Sequence, residues 1–67
     1  MNKIADFTKP ELDYFREQCN FTDEEMTYFN LRARGKSNVQ VAMEMYISEA
    51  KVSKLAKKVK SKMFRVL

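Results

Sequence analysis

Histidine and tryptophan are absent from this 67-residue chain, and glycine, proline and cysteine each occur once. Each scarcity excludes something. Without histidine there is no zinc-finger ligand set and no Cys/His nucleophile pair. A lone Cys19 cannot form an internal disulfide and is expected as a buried, reduced thiol. One glycine and one proline leave too little turn chemistry for an all-β fold. No apolar run approaches the roughly 20 residues that a membrane-spanning helix requires, and the opening "MNKIADFTKP" lacks the apolar stretch of a secretory leader. A cytoplasmic protein without metal or organic cofactor is expected. No phosphate-cradling loop or acid, base and nucleophile set is in view, so the chain does not read as an enzyme.

What is present is charge, unevenly placed. Residues 1–33 carry four basic and seven acidic side chains (net −3), whereas residues 34–67 carry nine and two (net +7). From Lys51 onward come Lys51, Lys54, Lys57, Lys58, Lys60, Lys62 and Arg65 with no acid among them. Such a run suits an element that faces a polyanion. The abundant Lys, Glu, Met, Ala and Leu favour helices, and a chain of this length holds one small domain. An all-α fold is therefore expected.

Helix starts are marked by local chemistry. "TKPE" offers Thr8 as N-cap, Glu11 three residues on and Pro10 in the first turn; Lys9, restrained by the following proline, is the alternative cap. "FTDEEM" sets Thr22 with Glu25 in a capping box, Phe21 and Met26 as a staple across it, and three acids at the positive end of the helix dipole. "SNVQ" repeats the box with Ser37 and Gln40, after Gly35 has stopped the preceding helix. "ISEAKV" supplies Ser48 as the fourth cap, with Ile47 and Val52 as its staple. Helices are thus predicted over 9–18, 23–34, 38–45 and 49–64. Their inward stripes are Leu12, Phe15 and Cys19; Met26, Phe29 and Ala33; Val41, Ala42 and Met45; and Val52, Leu55, Ala56, Val59 and Met63.

The last two helices carry the functional signal. At 100° per residue, Ala50, Lys54, Lys57, Lys58 and Ser61 fall opposite the apolar arc of the 49–64 helix, and a helix about 10–12 Å wide fits the roughly 12 Å major groove of B-DNA. No aromatic residue is expected on that lysine face, which disfavours RNA as a ligand. In "VAMEMYISEAKVSKL", Ala42 is the small residue of a bracing helix, and Val41, Met45, Ile47, Val52 and Leu55 complete the apolar pattern of a DNA-reading helix-turn-helix. Tyr46 stands where a glycine is usual. Either its backbone is left-handed, at about 1–2 kcal/mol, with the ring packed beside the turn and its hydroxyl near solvent or phosphate, or the helix runs one residue longer and the turn closes differently.

On these residues the chain from Phe21 to Met63 resembles the LuxR/GerE type of DNA-binding domain. "FTDEEMTYFNLRARGKSNVQVAMEM" is similar to that family's capped first helix, connection and bracing helix, and "ISEAKVSKLAKKVKSKM" to its reading helix; region 4 of sigma factors shares the arrangement. The resemblance implies a reading helix over 49–64 in the major groove, base contacts from Ser53, Lys54 and Lys57, and phosphate contacts from Lys36, Ser37, Asn38, Lys51, Lys58 and Lys62. Departures are Tyr46, Lys51, Ser53 and Leu55 in the turn and reader, and Thr27 and Gln40 in place of common glutamates. The family's closing helix has no counterpart in "FRVL", and the 9–18 helix is an addition that covers the core instead. The function implied is a sequence-specific transcriptional regulator of bacterial or phage type, binding double-stranded DNA and acting by promoter occupancy or contact with RNA polymerase. Phe64, Val66 and Leu67 offer an exposed apolar contact for a homodimer. The alternative is a small helical adaptor that binds RNA polymerase or another bacterial or phage protein through its apolar tail and acidic 23–34 helix.

Overall fold

The computed structural model describes residues 4–67, and these residues form helices and turns with no strand among them. A short 3-10 turn at Ile4–Asp6 leads into α1 (Lys9–Gln18), α2 (Asp23–Ala33), α3 (Asn38–Met45) and α4 (Glu49–Arg65). All four helices lie within one residue of their expected bounds. The all-α class follows directly.

Capping explains that agreement. Thr8, not Lys9, starts α1: its hydroxyl accepts from the Glu11 N–H, and the Glu11 carboxylate accepts from the Thr8 N–H at 2.8 Å. Thr22 and Glu25 make the same reciprocal pair for α2, and Ser37 and Gln40 for α3. Each box satisfies two of the N–H groups that a helix start leaves without partners. Ser48 caps α4 from one side only, accepting from the Lys51 N–H at 3.1 Å. The stops are equally local. Gly35 takes φ +89°, letting its own N–H reach the Arg32 carbonyl and the Lys36 N–H reach the Leu31 carbonyl, the paired bonds of a Schellman motif.

Helix α2 sits at the centre. It packs against α3, α4 and the 3-10 turn, and a chain of edge-on rings joins it to the N-terminal segment, Phe7 to Phe15 at 5.0 Å and Phe15 to Phe29 at 6.3 Å. Because neighbours surround it, α2 buries Glu25, Tyr28, Phe29 and Leu31, a wider arc than the single stripe expected from periodicity. Met26 and Ala33, expected inside, are only half-buried. On the other helices the stripes hold in part, with Leu12, Met45 and Ala56 also only half-buried against the core. Phe15 and Cys19 are buried, as are Val41 and Ala42, and α4 seals the core with Val52, Leu55, Val59 and Met63. Burial pushes the Cys19 thiol above its ordinary pKa, as suits an inert core sulfur.

Residues 46–48 separate α3 from α4, and the break is sharp. Tyr46 adopts φ 57°, ψ 43°, the left-handed conformation, and the Ile47 N–H returns to the Ala42 carbonyl at 3.1 Å. The two helices do not run through as one rod, nor does α3 extend past Met45. One expectation fails here. The Tyr46 ring is 95% exposed rather than packed beside the turn, because Ala42, Met45, Ile47 and Val52 already fill the corner.

Candidate nucleic-acid interface

The site is built on α4. Its first turn is anchored by Ser48, and its apolar side is held by the fully buried Val52 and Val59 and the nearly buried Leu55 and Met63. Fixing one side fixes the other. Ala50, Ser53, Lys54, Lys57, Lys58, Lys60 and Ser61 are all exposed, and the three residues expected to touch bases, Ser53, Lys54 and Lys57, share this face.

The cations divide into two groups. Lys36, Lys51 and Lys62 each hold a carboxylate: Lys36 pairs with Glu44 at 3.7 Å across α3, and Lys51 with Glu24 at 3.0 Å, joining α4 to the start of α2. Among the described residues Lys54, Lys57, Lys58 and Lys60 enter no ion pair. The exposed face of α4 therefore carries positive charge that no carboxylate among the described residues neutralises.

Lys62 departs most from its expected phosphate contact. Its ammonium donates to the carboxylate of Glu25, which is only 4% exposed, and to the Asn20 carbonyl at 3.3 Å. Burial alone pushes the Glu25 carboxyl upward, but the Lys62 ammonium and the Thr22 N–H outweigh this and hold it below the ordinary carboxylate range. Glu25 thus performs two tasks, capping α2 and clamping α4. Lys62 belongs to the architecture.

At the start of α3, Ser37 and Asn38 are exposed beside half-buried Lys36. The Ser37 hydroxyl accepts from the Gln40 N–H, and the Asn38 Oδ1 accepts a long bond, 3.4 Å, from the Tyr28 hydroxyl. These contacts tie the front of α3 to the core while leaving its outer side open.

Two features escaped the sequence reading. Neither periodicity nor the resemblance assigns Lys60 to the site, although it is exposed and enters no ion pair among the described residues. Phe64 is 74% exposed, and since α4 continues through Arg65, Phe64 lies three, four and seven residues beyond Ser61, Lys60 and Lys57. That spacing puts it on the lysine face. An aromatic residue does stand there, contrary to expectation; continuing the 100° steps to the helix end reveals it. Val66, by contrast, is half-buried against the core, with its carbonyl accepting from the Tyr14 hydroxyl at 2.8 Å. It is no part of an exposed apolar tail.

Comparisons with protein-family models, curated proteins and solved structures return no match for this chain. No helix among the described residues is long and apolar enough to cross a membrane.

Proposed function

We propose that the protein binds double-stranded DNA with α4 in the major groove, as a sequence-specific transcriptional regulator of bacterial or phage type acting in the cytoplasm. The observation that carries this reading is the partition of α4 into a buried apolar side and an opposite side whose four lysines have no carboxylate partner among the described residues. Surface lysines kept for general solubility would be interspersed with acids. Here α4 carries one acid, Glu49 in its first turn, and the carboxylates of Glu24 and Glu25 on α2 engage its flanks through Lys51 and Lys62.

Ser53, Lys54 and Lys57 project from the exposed side, where Lys54 and Lys57 reach guanine O6 and N7. Lys58, with Ser37 and Asn38 at the start of α3, holds phosphate. Lys36 and Lys51 add to this by exchanging a half-exposed carboxylate for a phosphate, an exchange between charged partners that costs little at the surface. The tight turn at Tyr46 and the small Ala42 support the bracing role for α3 that the resemblance to the LuxR/GerE type of domain implies.

A salt titration against duplex DNA carrying a selected site tests the reading. With about five phosphates neutralised, log affinity falls against log salt with a slope near −4.5. Lys54→Ala combined with Lys57→Ala lowers affinity at least tenfold and flattens base preference, while Lys58→Ala weakens all sequences alike and reduces the slope by about one. Absence of duplex binding at low ionic strength overturns the proposal.

A further inference from the structure

The C-terminal end of the lysine face differs chemically from the part assigned to the major groove. Phe64, with three-quarters of its surface exposed, stands one helical turn beyond Lys60 and two beyond Lys57, with Ser61 beside it. Exposing a phenyl ring among ammonium groups forfeits burial that the core could have given it. Leu67 does not shield it: that residue borders a separate cleft with Phe7, Pro10, Tyr14 and Phe15.

The charge pattern selects the occupant. A second copy meeting this face symmetrically would set Lys57, Lys60 and Arg65 against the same residues, with no acid on α4 beyond Glu49 to relieve the repulsion. A planar, polarizable ligand carried on a polyanion suits both components at once. We infer that Phe64, flanked by Lys57 and Lys60, is a stacking site for an unpaired nucleobase, so that the protein binds nucleic acid with exposed bases as well as paired duplex.

This inference rests on the nucleic-acid reading of α4 and adds a second position on the same helix. Phe64 follows Lys54 by ten residues, or about 15 Å along the axis. That separation, nearly three turns, sets Phe64 beyond the part of α4 assigned to base contacts, at the end of the helix where the paired stack need not continue. There it meets a single-stranded extension or an unpaired base, with exposed Lys60 on the neighbouring phosphate. Base stacking on one aromatic side chain strengthens binding roughly 5- to 150-fold and tolerates any base.

The test uses the full chain and four probes: a blunt duplex, the same duplex with an unpaired extension, oligothymidylate and oligouridylate. Phe64→Ala is expected to lose about 5- to 150-fold affinity for the probes with unpaired bases, to leave the blunt duplex unchanged, and to keep the wild-type circular dichroism and melting temperature. Phe64→Trp introduces the sole tryptophan, since the chain has none, and its fluorescence is quenched as unpaired bases stack on it. The two homopolymers show whether the strand is DNA or RNA. Wild-type affinity of Phe64→Ala for every probe, or an unquenched Phe64→Trp, overturns the inference and leaves the duplex reading intact. Binding of unpaired strands without duplex binding overturns the duplex reading instead and supports the stacking site. Sedimentation showing that Phe64→Ala abolishes self-association, without affecting strand binding, assigns the ring to a second copy and also overturns the inference.

Discussion

Tyr46 shows what a single residue contributes to this fold and what it costs. A left-handed backbone burdens a non-glycine residue by about 1–2 kcal/mol, and the solvent-exposed ring recovers none of this by packing. Tyr46→Gly should therefore raise stability by about 0.5–1 kcal/mol after allowing for the added freedom of glycine in the unfolded chain. Thermal unfolding checks it, with a rise of roughly 2–8 °C expected; a fall would mean that the ring contributes a contact. Asn20, also at positive φ (52°), carries a side chain better suited to that conformation. The apolar spacing made a break near Tyr46 legible but left two turn geometries open, of which the structure takes the left-handed one. The ring's direction was not legible, because sequence shows which residues suit the corner but not when the corner is full.

At the scale of the element, α4 is held by a buried apolar side and two ion pairs of different depth. Lys51 and Glu24 are both about half exposed, whereas the Glu25 carboxylate is buried and accepts from Lys62. Lys62→Met should remove a charge-assisted bond worth about 1.5–3 kcal/mol, and Lys58→Ala should stay within about 0.5 kcal/mol of the wild type; urea denaturation separates the two. The same pair sets an acid dependence. With the folded Glu25 pKa below its unfolded value near 4.3, the unfolded chain binds more protons in the interval between them. Stability from this group is complete above about pH 4.3 and is lost as pH falls through the lowered folded value. Glu25→Gln removes that component, and melting temperatures followed across the acid range would reveal it; an unchanged profile would refute the assignment. Helix bounds were legible because capping boxes act over three residues. Glu25 was legible as a cap but not as the clamp for Lys62, a partner 37 residues away in sequence.

For the molecule as a whole, the small core concentrates stability in few side chains. A chain of this length has roughly 3–10 kcal/mol in total. Phe29 is completely buried, contacts rings from two directions and lies under the Arg16 guanidinium at 5.5 Å. Phe29→Ala, at about 3–5 kcal/mol, should abolish or sharply lower the cooperative thermal transition. Met43→Ala, on the open side of α3, should leave it nearly unchanged. Near wild-type melting of the Phe29 variant would show that the core lies elsewhere. The all-α class and the opposed faces of α4 were legible from composition and periodicity. The centrality of α2 was not, since Tyr28 and Leu31 become interior only when three neighbours close around that helix.

The division of α4 has a consequence for how such a protein diverges. Its inward side chains answer to packing, and Lys51 and Lys62 answer to carboxylates on α2, but Ser53, Lys54, Lys57, Lys58 and Ser61 have no side-chain partner among the interactions described above. If α4 binds nucleic acid as proposed, substitutions at those five positions answer to the ligand more than to packing, so new binding preferences can arise in single steps that cost the fold little.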